Sequence, residues 1–230
     1  MQDYYESLWT DHPHRIIIDW VAPNSRVLDI GCGGGQLGAS LITRKHCVVT
    51  GVEPSTDRAA RADQAGLSVI VGSIENSLII DHLTAPYDVI IMADVLEHLV
   101  EPWKLLETCS ELLSTKGHVL ASVPNVAHFA MRARLAMGRF EYTEHGGLRD
   151  RTHLRFFTYN TARKMFVETG YQIQEMGFRW RFLTNDQKLP FEGILDRIVS
   201  GHPNLLAYQM LFKLKPAPLC SDHSVSLADS

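Results

Sequence analysis

The stretch RVLDIGCGGGQLG, residues 26–38, constrains this chain more than any other. A short apolar run ending at Ile30 opens directly on Gly31, Gly33, Gly34 and Gly35, and a helical pattern resumes at Gln36. A strand that turns through glycines into a helix leaves backbone N–H groups free at the helix start, where α/β folds receive nucleotide-like ligands. The dinucleotide spelling G-x-G-x-x-G fits Gly31 and Gly33 but fails at Gln36. Reading from Gly33, Gly35 and Gly38 restores the letters and detaches the motif from the strand end, which the fingerprint requires to be adjacent. The spelling therefore does not choose the ligand.

Charge discriminates better. Asp29 stands beside the loop, where it opposes a pyrophosphate and suits a donor carrying a sulfonium and an ammonium, as S-adenosylmethionine does. The plainer alternative is that Asp29 satisfies loop N–H groups, as Asx turns do. Glu53 follows at 53 − 29 = 24 residues, at the end of the next apolar run. From there a carboxylate can accept hydrogen bonds from ribose hydroxyls in either cofactor class, so it indicates a ribose without separating the rivals.

The remaining chain reads as strands alternating with helices. After a helix over residues 3–21, broken near Pro13, the expected strands are RVLDIG, CVVTGVEPS, LSVIVGSIE, YDVIIMAD and GHVLASVPN. Between them lie GQLGASLITRK, an Ala/Arg-rich helix over 56–65, and amphipathic PWKLLETCSELL. RFFTYNTARKMFVETG restores a helix capped by Thr158 or Asn160, and YQIQEMGF and NLLAYQMLFKLK are expected final strands. This alternation predicts one α/β domain over 1–215, a Rossmann-like, doubly wound, mostly parallel seven-stranded sheet with helices on both faces. Ligands in such sheets sit beyond the carboxyl ends of the strands. The Pro/Ser-rich residues 216–230 are expected to be a disordered tail.

A net charge of −4 lacks the basic excess of a general nucleic-acid binder. Cys32, Cys47, Cys109 and Cys220 form no CxxC pair, which argues against a zinc ribbon or disulfide framework. The acidic, aromatic start MQDYYESLW has no signal core and no apolar run is long enough to span a bilayer, so a cytoplasmic monomer or homodimer is expected.

The segments VLDIGCGGGQLG, GVEPS, YDVIIMADVLEHLVEPWKLL and GHVLASVPNVAHF resemble, in order and spacing, the class I S-adenosylmethionine-dependent methyltransferases. MGRFEYTEHGGLRDRTHLRFFT looks like a bacterial subgroup acting on small molecules and glycan-associated acceptors. The resemblance implies that Gly31, Gly33 and Gly35 let the backbone approach the methionine part and that Asp29 lies near its amino group. It implies Glu53, followed by Pro54, on the ribose, Ser73 and Ile74 at the adenine, and Ala93 beneath the methionine. Tyr5, in an N-terminal helix over 1–22 that covers the cofactor in this family, would close the pocket or pack as a half-buried aromatic. Where relatives often hold the adenine amino group with an aspartate, this chain has GSIE.

Methyl transfer is an in-line displacement, so the protein must align nucleophile, methyl and sulfur and exclude water. A hydroxyl acceptor also needs a base. His98, just past the fourth strand, and His153, in the arginine-rich segment 126–155 expected to cover the acceptor, are the candidates; each could instead be structural. The expected reaction is O-methylation of a small acceptor, anionic or sugar-linked, leaving S-adenosylhomocysteine. Arg151 and Arg155 flank His153 and are candidate acceptor contacts, with a solvated, ion-paired face as the alternative; His128, after the fifth strand, is a candidate contact that could line the pocket or simply pack. Asp94, Glu97 and His98 at i, i+3, i+4 would share a helical face and, with His153, could hold a divalent metal. That set is similar to metal-dependent small-RNA 3′-end and quinone-pathway methyltransferases, but no metal is the favoured reading. A nicotinamide-dependent oxidoreductase and a non-catalytic cofactor-binding module are the readings from other classes.

Overall fold

The computed structural model describes residues 13–144, 146–179, 197–198 and 200–218. Tyr5, most of the N-terminal helix and residues 219–230 of the expected tail lie outside them. The described elements run α1 (Pro13–Trp20), β1 (Arg26–Ile30), α2 (Gln36–Lys45), β2 (Val48–Glu53), α3 (Thr56–Gln64), β3 (Ser68–Val71), α4 (Ser77–Asp81) and β4 (Tyr87–Ala93). A 3₁₀ turn, Leu96–His98, leads to α5 (Pro102–Leu112), β5 (Leu113–Pro124), α6 (Phe129–Ala136), α7 (Tyr159–Glu168), β6 (Tyr171–Arg179), α8 (Pro203–Leu206) and β7 (Gln209–Pro216).

The strands form one seven-stranded sheet in the order β3-β2-β1-β4-β5-β7-β6. β7 is antiparallel to β5 and β6, and the other pairings are parallel. Every βαβ crossover needs a helix to return the chain, so both faces of the sheet are covered and its central strands are mostly apolar. β4 illustrates this. Ile90 and Met92 enter one apolar cluster with Leu28, Leu106 and Phe166, while Val89 and Ile91 enter a second with Val27, Leu41 and Ile17. Alternate residues of a strand point to opposite faces, so these are the two cores either side of the sheet. Each such side chain contributes roughly 1.5–3 kcal/mol by leaving water.

Local chemistry sets the element ends. Ser55 caps α3 by accepting from the Arg58 N–H, and Thr158 caps α7 in a reciprocal capping box with Thr161. Pro102 begins α5, where its missing N–H costs nothing. The Tyr171 hydroxyl donates to Leu106 O at 2.7 Å and ties β6 to α5.

Two expected elements differ. NLLAYQMLFKLK is not one strand: Pro203 starts a short helix through Leu206, and pairing begins at Gln209. The fifth strand begins at Leu113 rather than after Gly117. Gly117 lies inside it because a Cβ there would meet Tyr87 O at 2.9 Å, so the backbones approach too closely for a side chain.

Candidate active site

The chain runs outward from β1 to β3 and then returns to β4 beside β1, so a crevice opens beyond the carboxyl ends of these two strands. The glycine loop forms one wall. Gly31, Gly33 and Gly35 all have positive φ, but they do different work. A Cβ on Gly31 would meet Val95 Cγ2 at 2.7 Å, and one on Gly35 would meet Ala62 Cα at 2.7 Å. Gly33 has nothing within 4 Å and is the position open to a ligand. Gly31 and Gly35 thus lack side chains in a way that makes room for the protein's own packing.

Asp29 is buried (2% exposed) on β1, and its Oδ2 has no partner among the described residues. Burial first, and the neighbouring Glu53 second, push its carboxyl up to about 7. The Asx-turn alternative for this oxygen is not realised among the described residues. Glu53, at the end of β2, is also buried; its Oε2 accepts from Gly33 N–H and its Oε1 from Ser55 N–H, both at 3.0 Å. Each carboxylate oxygen has a second lone pair, so ribose hydroxyls can still be received. Two buried carboxylates beside an open glycine suit a cation and repel a pyrophosphate. α2 begins at Gly35 without a side-chain cap, which leaves its first N–H groups for a carboxylate such as that of a methionine.

Past the end of β3, Ile74 is buried in the core, and the exposed Ser73 accepts from Glu75 N–H through its hydroxyl at 3.3 Å. Glu75, which sequence reasoning missed, accepts from Val100 N–H at 2.8 Å and Glu101 N–H at 3.1 Å, holding the β3 and β4 loops together. Pro54 is exposed and Ala93 half-buried at the end of β4.

Past β4 the geometry departs from helical spacing. Asp94 has φ +57°, and the turn starts only at Leu96. Asp94 therefore does not share a face with Glu97 and His98. Its carboxylate accepts from Ser122 Oγ at 2.9 Å and from Gln209 Nε2 at 2.6 Å, and burial raises its pKa against these hydrogen bonds. The four-ligand metal set consequently loses Asp94. Glu97, His98 and His153 remain together, with one potential ligand atom from each within 4.8 Å of the others.

The two histidine rings meet edge to face, with centroids 4.8 Å apart. His98 Nδ1 faces the Thr152 carbonyl at 3.3 Å and the Thr152 hydroxyl at 3.1 Å. That hydroxyl donates its proton to Asp150 Oδ1 at 2.6 Å, so toward His98 it can only accept. Both partners being acceptors, Nδ1 carries the hydrogen and Nε2 keeps a lone pair. Burial would push the Asp150 carboxyl up, but hydrogen bonds from Thr152 and Gly146 outweigh it and hold the group at about 2. His153 is lowered, by burial first and then by His98, and its Nδ1 is buried without a partner among the described residues. Glu97 is 1% exposed and raised well above the carboxylate range by burial and then by Asp94; its Oε2 also lacks a partner among the described residues.

The arginine expectations are redistributed. Arg151 pairs with Glu144 at 2.9 Å in the open, and Arg155 lies over the Trp103 ring at 5.7 Å and donates to Val100 O. Both are engaged outside the histidine pair. His128 caps α6 by accepting from Ala130 N–H at 3.3 Å and is buried against Tyr208.

A methyltransferase-domain family model matches residues 1–176. The chain belongs to that family. Its sheet order and topology are those of the class I methyltransferase fold. It is 36% identical over 109 residues to the ubiquinone biosynthesis O-methyltransferase of Vibrio campbellii, covering 44% of each chain. It is 31% identical over 127 residues to the enzyme of the same name from Erwinia tasmaniensis, covering 49% of this chain and 51% of that one. The chain thus matches about half the length of these curated relatives. In fold it is similar to the magnesium protoporphyrin IX methyltransferase of Synechocystis with bound S-adenosylhomocysteine (TM-score 0.60, 16% identity, 89% of this chain and 82% of that one). It is likewise similar to a methyltransferase of Archaeoglobus fulgidus (TM-score 0.59, 14% identity, 92% and 99%). Among the described residues no helix is long and apolar enough to cross a membrane.

Proposed function

We propose that this methyltransferase acts on an oxygen of a small-molecule acceptor and that His98 Nε2 takes the acceptor's proton. The observation that carries the reading is the fixed tautomer of His98: Thr152 and Asp150 hold Nδ1 as the donor, so the other nitrogen is free to accept. His153, kept neutral by burial, packs against His98 without adding a charge that would oppose protonation. The O-methyltransferase names of the sequence relatives support oxygen over nitrogen. In this reading Asp29 faces the donor's ammonium, Glu53 and Pro54 border the ribose, Gly33 lets the methionine part approach, Ala93 lies beneath it, and Ser73 and Ile74 flank the adenine. The protein's work is then alignment, water exclusion and proton removal.

The test is turnover to S-adenosylhomocysteine with a panel of phenolic, catecholic and hydroxy-acid acceptors. His98→Ala should lower kcat by about 10²–10⁴-fold and His153→Ala by less, with S-adenosylhomocysteine binding retained in both. Full activity of His98→Ala, or methylation confined to amine acceptors, overturns the reading.

A second reading is favoured by the grouping of Glu97, His98 and His153. The unpartnered buried Glu97 Oε2 and His153 Nδ1 fit a divalent cation, which would supply Lewis acidity toward acceptor hydroxyls. Loss of turnover on chelation, restored by adding back a divalent metal, would select it; activity unchanged by chelation would leave His98 as a base alone.

A further inference from the structure

A second recess lies between α6 and the loop that follows it. Its volume is about 460 Å³, and it is lined by Met131 and Arg134 of α6, by Thr143, Leu148 and Arg149 of the loop, and by Tyr208. That size suits a small organic ligand. Met131 and Leu148 are buried and give it an apolar floor. Arg134 and Arg149 bring two guanidiniums to it. Both face one carboxylate, Glu141, at 3.7 Å and 3.5 Å, longer than a direct charge-assisted hydrogen bond. The Glu141 side chain is 63% exposed, so water screens its carboxylate, while Arg149 is anchored by a hydrogen bond that its Nη1 donates to the Glu141 carbonyl oxygen.

The recess adjoins the histidine pair through one carboxylate. Asp150 accepts from Gly146 N–H, which lines the recess, and from Thr152, which holds His98. A ligand seated there would be bordered by the loop that carries the proposed base. At the Tyr208 wall, His128 packs edge-on at 5.5 Å, and its buried Nε2 has no partner among the described residues. His128 Nδ1 accepts from Ala130 N–H, which leaves Nε2 as the hydrogen-bearing atom.

We infer that this recess receives the anionic end of the acceptor: a carboxylate or phosphate held between Arg134 and Arg149, with the adjoining apolar body against Met131 and Leu148. The inference rests on the reading of the protein as a small-molecule methyltransferase and specifies the class of its substrate. A guanidinium fork pairs with a carboxylate or phosphate through two parallel hydrogen bonds, and here the exposed Glu141 carboxylate is the group that the ligand displaces, with the Arg149 bond to the Glu141 carbonyl left in place.

The test is calorimetric titration of the protein saturated with S-adenosylhomocysteine, at constant ionic strength, with benzoate, phenyl phosphate and neutral benzyl alcohol. At least one of the two anions should bind more tightly than benzyl alcohol, and the tighter one identifies the group. Arg149→Met and Arg134→Met should each weaken that anion by about tenfold or more, and Glu141→Gln should tighten it. Benzyl alcohol should be indifferent to all three. Arg134 is part-exposed on a helix, so its variant keeps the test sound if Arg149→Met disturbs the loop. Anion binding unchanged in Arg134→Met, or no preference for anions over benzyl alcohol, refutes the inference. Because the readout needs no methyl transfer, it can fail while His98-dependent turnover persists, and the converse holds as well.

Discussion

Replacing Asp29 by Asn separates what this residue costs the fold from what it contributes to the site. Asp29 is buried, and its carboxyl is lifted from 3.8 to about 7 by burial and by Glu53. The native state therefore resists ionising a group that the unfolded chain ionises readily. Stability linked to this group is fully present below pH 3.8 and is lost as pH rises toward 7. At about 1.4 kcal/mol per pKa unit, the loss above pH 7 reaches about 4 kcal/mol, an upper figure because the neutral amide of Asn leaves its own unpaired atoms, at about 1–3 kcal/mol. A net gain of about 2 kcal/mol would raise Tm by about 4–8 °C in a chain of this size.

The same substitution should damage cofactor binding, since only the ionised carboxylate attracts an ammonium. In the native protein, affinity for S-adenosylhomocysteine should fall about tenfold per pH unit below 7; the Asn variant should bind more weakly at pH 8 and show a flatter pH dependence. The assay pairs thermal melts from pH 5 to 8 with titration of S-adenosylhomocysteine over the same range. The stability gap between variant and native protein should widen with pH and level off above 7. A variant no more stable at pH 8 than the native protein, with undiminished cofactor affinity, refutes the reasoning.

What was legible in the sequence follows from how far apart the interacting residues lie. β1, β2 and β4 are buried on both faces, so they appear as continuous apolar runs, and the acids Asp29 and Glu53 mark where two of them reach the crevice. The sheet and its cofactor end could be read from that pattern. The surroundings of Asp94 could not: its partner Gln209 is 115 residues away, and its positive φ breaks the helical spacing that would have grouped it with Glu97 and His98. The arginines show the same limit. Arg134, Arg149, Arg151 and Arg155 look equivalent in a basic segment, yet packing sends Arg155 to Trp103 and places Arg134 and Arg149 at a recess. Thr152 was also missed, although it is next to His153, because its role depends on His98, 54 residues earlier.

Two further substitutions separate packing from function. Gly33→Ala meets no neighbour within 4 Å, so its cost is the positive φ alone, about 1–2 kcal/mol, and cofactor affinity should suffer more than Tm. Gly31→Ala drives a Cβ to 2.7 Å from Val95 Cγ2 and should cost about 2–4 kcal/mol by adding overpacking to that strain, which thermal melts would read directly. Thr152→Val removes the hydroxyl that links His98 to Asp150 and leaves the carbonyl as the remaining partner of Nδ1. If Thr152 positions the base, kcat should fall about tenfold with KM for S-adenosylmethionine unchanged, and Thr152→Ser should recover most of it because the hydroxyl is restored. A Ser variant as impaired as the Val variant would mean that the side chain's shape matters and its hydrogen bond does not.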